Sequence, residues 1–573
     1  MNREKTAGLT IFVLNLIIFF ILLFTQKYNP FLVILNIISI IAIWIWLLNP
    51  KKLPSFFKEK KTDFYIGIIL FVSSLAILIY KIDTVRPGMY GDEMFAGIYG
   101  KILLHSKEMP PFIDTYVHPL VHTYFVGWSD ALFGSNIFAM RFPTIIAGAF
   151  SAIAIYVLLR QFFKKKIALI ASLIFVFSYQ HFIVFRQSYE TGESVLFQIV
   201  ALIFLYLLFK RKDTRSLIAF GMAIGASLHF YISIRAIAFS MVLLSIYFLR
   251  KLPFKKFMQY LVILLISIFI STAVLSSYAV VHWDKFWQRV PALSVFGRNL
   301  PAKDVEGEIF GSIKNDAGLF IFSGDPNPRY NPSGVPLYDF VSSTLIISGL
   351  IWLFFKQRKL FYIFLFLSLP IIANEIFAIE VFPEFHYYGT GHPNSLRISG
   401  FIPLFYLLMG FALAALDSLL AKINKQLSNI VLIFICIFTV AVNLYFYFGQ
   451  LSINPTFFMY NYRFGDAYMQ DIVKFINNKN IHEIYVQKPF LNGNTYLFLN
   501  KNITLIPIDE KDIQTTLDLI AASKVVIVNE VVSTVLDTDY FSKLAEEVGE
   551  KSIPYIRLNT PFGPYGAVIF NLR

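Results

Sequence analysis

The chain has 573 residues, 57% of them hydrophobic and 17% aromatic, with a mean hydropathy of +0.63 and a formal net charge of +14. Only 15% of residues are charged, against about 25% in soluble domains, which excludes an ordinary globular protein and indicates a polytopic membrane protein. The Lys and Arg residues lie in short runs between apolar spans rather than in a continuous stripe, which argues against a nucleic-acid partner, and the single cysteine, Cys436, excludes a disulfide or a cysteine-based metal site.

Measured against the roughly 20 apolar residues that cross a bilayer, the sequence predicts a mainly α protein with about thirteen transmembrane helices. They fall near 9–25, 31–48, 64–80, 141–159, 167–184, 193–209, 216–231, 236–249, 258–280, 338–355, 360–379, 398–419 and 428–447. No hydrophilic cleavage site follows the first span, which therefore reads as a retained helix. With the N-terminus inside, the cytoplasmic loops are Lys51 to Lys61, Lys164 to Lys166, Lys210 to Lys212, Arg250 to Lys256, Lys356 to Lys359 and Lys422 to Lys425, and all are basic. The alternate loops hold most of the acidic, His, Pro and Gly residues, so the positive-inside rule puts them outside. Three parts follow: a helix pair in 1–62, a core in 63–447 with large external loops 81–140 and 281–337, and a tail, 448–573, also outside.

The first large loop opens with Tyr90-Gly91-Asp92-Glu93, after which Phe95, Ile98, Tyr99 and Ile102 repeat at helical spacing. This predicts a helix lying along the membrane surface with the two acids at its head. The same loop carries Arg86, His118, Pro119, His122 and Arg141, and the next external loop carries Arg186, Tyr189, Glu190 and Glu193. Tyr231 with Arg235 follows, then the proline-rich turn segment around Gly324 to Tyr338, then His386, His392, Asn394 and Arg397. Ionisable groups beside a membrane are costly and mark functional positions; here they gather on one side. In the tail, Ile484 to Val486 and Val525 to Val528 read as buried strands, and 466–478 and 540–548 as helices, which makes a small soluble α/β domain.

These residues resemble the polyprenyl-phosphate-dependent glycosyltransferases of C-type fold, the superfamily of the protein O-mannosyltransferases and the aminoarabinose transferase of lipid A. The likeness rests on Gly91-Asp92-Glu93; His118-Pro119-Leu120 with Leu132-Phe133-Gly134 and Arg141-Phe142-Pro143; Phe185 to Glu190; His229-Phe230-Tyr231 with Arg235; and Arg397 with Pro403. It spans roughly 64–420. Relatives carry the acidic pair after their first span, whereas here it follows the third, so 1–62 reads as an added pair of helices. Relatives also often show Lys-Pro-Pro where this chain has Val117-His118-Pro119, and an Asp where it offers Glu190 or Glu193.

The resemblance implies transfer of a sugar from a polyprenyl-phosphate donor to a protein, lipid or glycan acceptor at the outer face of the plasma membrane, inverting and with no required cofactor. Asp92 is then the general base and Glu93 its neighbour, and His118, Arg186, Glu190, Tyr231, Arg235 and Arg397 bind substrate. The chemistry needs such groups: a base takes the acceptor proton, and arginines hold the departing phosphate. A divalent ion held by Asp92, Glu93 and a histidine remains open, but His386 and His392 with Glu384 have no recognised metal spacing.

Each residue also has a plainer reading. Asp92 fits a helix N-cap, Glu93 a first-turn acid favoured by the helix dipole, His118 a turn residue, Arg141 a structural anchor paired with an acid, and Arg186 and Arg235 interfacial snorkelling cations. At the level of the whole chain, the alternatives are a transporter or flippase of lipid-linked glycans and a non-catalytic membrane assembly protein. The abundance of Lys, Asn, Ile and Phe fits an AT-rich prokaryotic genome.

Overall fold

Each of the thirteen predicted spans carries helix. The computed structural model describes residues 3–48, 61–85, 88–113, 118–296, 302–320, 324–327, 330–331, 335–378, 394–454, 481–487, 503–509, 512–529, 544, 546, 555–560 and 563–571. In chain order the elements are α1 (Arg3–Thr25), α2 (Pro30–Leu48), α3 (Lys61–Ile79), α4 (Gly91–Leu104), the short strands β1 (Phe112–Ile113) and β2 (His118–Pro119), and α5 (Val121–Phe133). Then come α6 (Ile137–Phe162), α7 (Lys165–Val176), α8 (Tyr179–Phe185), α9 (Thr191–Arg211), α10 (Thr214–Ser227), α11 (Ile234–Leu249), α12 (Phe254–Val281) and α13 (Ala302–Ala317). The series continues with α14 (Phe340–Lys356), α15 (Arg358–Ile376), α16 (Ile402–Ile423) and α17 (Lys425–Leu444).

Among the described residues, nine of these segments are long and apolar enough to cross a bilayer, which makes this a multi-pass membrane protein. The expected fifth span is instead two helices, α7 and α8, bent by 57°. Local chemistry stabilises the break: the Ser178 hydroxyl caps α8 by accepting from the His181 amide at 3.1 Å, and the Tyr179 amide donates to Asn443 Oδ1 at 2.8 Å. Helices α10, α11 and α14 have 14, 16 and 17 residues. At 1.5 Å per residue they rise only about 21 to 26 Å, short of a ~30 Å hydrocarbon core.

The chain divides into two compact units, one of Met1–Ile79, Ser106–His122 and Thr144–Tyr447, the other of Tyr80–His105, Thr123–Pro143 and Phe448–Arg573. In the first, α10 packs between α9 and α12. Its Gly221 and Gly225, one helical turn apart, meet Ser267 and Ser271: a Cβ on either glycine would come within 2.7 Å and 2.5 Å of the facing serine Cβ. Small residues thus bring two backbones together where lipid offers no hydrophobic drive for association. The N-terminal pair joins the same unit through buried polar contacts. Asn36 donates to Asn15 Oδ1 at 2.5 Å and to the Ile270 carbonyl of α12 at 3.0 Å.

In the second unit α4 is buried on a side other than its apolar stripe. Its buried side runs through Glu93, Met94, Ala96, Gly97 and Gly100, while Phe95, Ile98 and Tyr99 are half-buried and Ile102 is exposed. Gly100 and Gly127 of α5 bring the two backbones into contact, and a Cβ on Gly100 would meet Gly127 N at 2.7 Å. This leaves the predicted stripe facing outward, where a lipid surface can take it. The tail forms a five-stranded sheet in the order β4-β3-β5-β7-β6, from β3 (Glu483–Gln487), β4 (Thr504–Ile508), β5 (Val526–Asn529), β6 (Tyr555–Thr560) and β7 (Gly563–Phe570). Strand β3 is parallel to β4 and β5, and β7 is antiparallel to β5 and β6. Helix α18 (Ile513–Ala521) packs Leu517 and Ile520 against Ile508, Val526 and Phe570. The predicted strands at 484–486 and 525–528 are thus present; the helix expected at 466–478 lies outside the described residues, and of 540–548 only Leu544 and Glu546 are described, both helical.

Candidate functional site

The two acids at the head of α4 have different surroundings. Tyr90 is the N-cap, so Asp92 is the second helical residue and not the cap that its plainer reading required. Its side chain is exposed, in a first turn whose amides favour an anion. Glu93 is fully buried, and its Oε2 accepts from the Tyr90 amide at 3.3 Å, the backward half of a capping box. Arg141 pairs with it from Nε to Oε1 at 3.0 Å and from Nη2 to Oε2 at 3.2 Å. The same guanidinium donates to the carbonyls of Ile82 at 3.0 Å and Gly88 at 2.7 Å. Arg141 therefore fixes the backbone that leads into α4, and Glu93 is its counter-ion. Arg86 lies outside the described residues.

In the first unit two His–Glu pairs stand side by side. Strand β2 places His118 opposite Ile113, and its Nδ1 lies 2.8 Å from Glu190 Oε1, while Arg289 Nη1 meets its Nε2. At the second position of α5, His122 Nδ1 lies 3.0 Å from Glu193 Oε1 and its Nε2 3.1 Å from Ser188 Oγ. Burial alone would raise the Glu190 carboxyl, but the neighbouring His118 and His122 outweigh it and hold it down to about 2. Burial would likewise lower His122, and the Glu193 carboxylate overrides it so that the imidazole lies above its ordinary value.

Tyr231, Arg235 and Arg397 come together around one cavity of about 690 Å³, joined by Arg289. The remaining wall is mainly hydrocarbon and aromatic, including Phe239, Leu275, Phe286 and Trp287. Arg235 is the second residue of α11, with its guanidinium over the Phe286 ring at 4.1 Å and the Trp287 ring at 5.3 Å, and Nη1 reaches the Phe286 carbonyl at 3.4 Å. Tyr231 is fixed by its amide, which donates to Ser194 Oγ at 2.8 Å.

Arg397 opens a short 3₁₀ turn, Arg397–Phe401, whose backbone is held by Asn394 and, behind it, two acids. Asn394 Oδ1 accepts from the Leu396 and Arg397 amides, each at 3.1 Å. Glu375 Oε1 in turn accepts from the Asn394 amide at 2.6 Å, and Asp325 Oδ2 from the Ser395 amide at 2.7 Å. Asp325, in the proline-rich turn segment, is wholly buried, and burial pushes its carboxyl up to about 7 against the pull of the backbone amides it accepts from.

Arg186 is placed elsewhere. Its Nη1 donates to the carbonyls of Ile77 at 3.0 Å and Leu78 at 2.9 Å at the end of α3, and its guanidinium lies 5.4 Å from the Tyr447 ring centre. It closes a helix terminus and does not line the cavity. His386 and His392 lie outside the described residues. The cavity residue that sequence reasoning missed is Arg289; the signal available was a cation among Trp283 and Trp287 in a loop assigned to the side poor in basic residues.

Residues 117–276 match the family of dolichyl-phosphate-mannose-protein mannosyltransferases. No curated protein matches the chain by sequence. ArnT from Cupriavidus metallidurans in the apo state is similar in structure, with a TM-score of 0.54 and 11% identity over 88% of this chain and 98% of that one. The same protein bound to undecaprenyl phosphate gives a TM-score of 0.52, with the same identity and coverage. The chain thus has the C-type fold of the polyprenyl-phosphate-dependent glycosyltransferases, the superfamily that its motifs resemble.

Proposed function

We propose that the protein is an integral-membrane glycosyltransferase that moves a sugar from a polyprenyl-phosphate-linked donor to a protein, lipid or glycan acceptor on the outer face of the membrane. The observation that carries this reading is the cavity in which Arg235, Arg289, Arg397 and Tyr231 stand in a wall that is mainly hydrocarbon and aromatic. A phosphate on a long hydrocarbon chain needs that combination: cationic donors for the head and hydrocarbon for the tail. A structure of the same fold contains undecaprenyl phosphate, in keeping with such a ligand.

In the reaction, Asp92 takes the proton of the acceptor hydroxyl as its oxygen bonds to the sugar C1. The bond from C1 to the phosphate oxygen breaks, configuration inverts, and the departing phosphate keeps the electron pair against the arginines. The exposed Asp92 carboxylate suits the base, and the buried, ion-paired Glu93 suits a support that fixes the turn. The basic loops put the N-terminus in the cytoplasm and the site outside, and no cofactor is required.

The experiment has two stages: mass spectrometry of lipids that co-purify with the protein, then a transfer assay with the lipid found. Asp92→Asn is expected to abolish transfer while yield and membrane insertion stay unchanged. Full transfer activity in that variant would overturn the assignment of the base, and absence of any polyprenyl-phosphate species together with failure to turn one over would overturn the donor class.

A further inference from the structure

A second cavity, of about 380 Å³, lies among α6, α9, α11, α14, α15 and α16. It sits at the basic ends of several of these helices: α9 finishes at Lys210 and Arg211, α14 at Lys356, and α15 begins at Arg358. The floor is buried leucine, including Leu202, Leu205 and Leu408, and the half-buried rim is largely aromatic, with Tyr206 and Phe248. Apart from the Tyr206 hydroxyl, which donates to the Gln161 carbonyl at 3.1 Å, the one polar side chain on its wall is Lys210.

Lys210 is exposed and its ammonium lies 5.7 Å from the centre of the Tyr206 ring. Among the described residues no carboxylate stands within ion-pair distance of it. The site therefore offers a hydrocarbon-lined volume of ligand size with one cation at its rim that has no carboxylate beside it among the described residues. A polar solute gains nothing from the leucine floor, and a neutral lipid leaves the cation without a counter-ion. An anionic lipid satisfies both, because juxtamembrane Lys and Arg attract anionic headgroups by about 1 kcal/mol each.

We propose that this cavity holds an acyl chain of an anionic membrane phospholipid whose phosphate pairs with Lys210. The site is separate from the arginine-lined cavity and shares no lining residue with it. A lipid seated there touches α9, α11 and α15 beside the basic ends of α9 and α15.

Native mass spectrometry of the detergent-solubilised full chain, equilibrated with equal phosphatidylglycerol and phosphatidylcholine, tests this. The wild type is expected to retain one phosphatidylglycerol. Lys210→Glu, at an exposed position, is expected to reduce that retention at least about fivefold, as is Leu205→Trp, which fills the floor. Arg211→Glu, beside the cavity but not lining it, is expected to leave retention within about twofold of wild type. Equal retention of both lipids, an Arg211→Glu loss as large as that of Lys210→Glu, or displacement of phosphatidylglycerol by undecaprenyl phosphate in a manner that Leu205→Trp prevents, would each overturn the proposal.

Discussion

Arg141 and Glu93 form a two-pronged ion pair, at 3.0 Å and 3.2 Å, in which neither side chain is more than 1% exposed. The pair decides how the acidic motif divides its labour. Glu93 cannot leave Arg141 without stranding a buried charge, whereas the Asp92 side chain beside it is exposed.

Breaking that pair from either side is expected to cost about 3 to 5 kcal/mol, since the remaining charge stays buried and uncompensated. Arg141→Ala and Glu93→Ala should therefore lower the thermal unfolding midpoint and the yield of folded protein, measured by fluorescence-detected melting in detergent. Asp92→Asn, on an exposed side chain, should melt within a degree or two of wild type. Equal melting of all three variants would mean the pair is not holding the turn.

The cavity arginines should act on binding rather than stability. Arg235→Ala and Arg397→Ala are each expected to weaken undecaprenyl phosphate binding about 10- to 100-fold, the loss of one charge-assisted hydrogen bond of about 1.5 to 3 kcal/mol. Titration of the purified protein with the lipid reads this directly. Arg186→Lys, which alters a helix terminus outside the cavity, should lower the melting midpoint and leave lipid affinity unchanged.

Asp325 gives the turn beneath Arg397 a pH dependence. Its carboxyl lies at about 7 in the folded protein, above the ordinary value of 3.8, because burial disfavours the charge. The folded state thus binds the proton more tightly than the unfolded one, so this contribution to stability is fully present below about 3.8 and is lost as pH rises through about 7. Wild type should melt at a lower temperature at pH 8 than at pH 5.5, and Asp325→Asn should lose most of that difference. An unchanged pH profile in the variant would assign the dependence to other groups.

Close packing at Gly100 leaves no room for a side chain. Gly100→Val would force its Cβ against the Gly127 backbone, which cannot yield as a flexible side chain can, at a cost of about 1 to 3 kcal/mol or more. Gly307→Ala, where nothing lies within 4 Å of the added methyl, is the control and should melt at or slightly above wild type. Paired melting curves check both.

The sequence by itself determined the membrane class, the positions of the apolar helices and the strands of the tail. These are local properties: an apolar run of the right length or a β-branched run states its preference without reference to distant residues. The break at Ser178 was not legible, because it depends on Asn443, 264 positions away from the Tyr179 amide that it accepts from. The roles of the charged residues were only half legible. Arg186, Arg235 and Arg397 look alike in sequence, yet the first is taken up by carbonyls of α3 while the other two, with Arg289, line one cavity. Glu93 and Asp92 are adjacent in the chain, and only the tertiary structure separates them, because burial and the position of Arg141 decide which carboxylate is held. A charge is assigned its work by the partners that folding brings to it, and those partners lie dozens to hundreds of residues away.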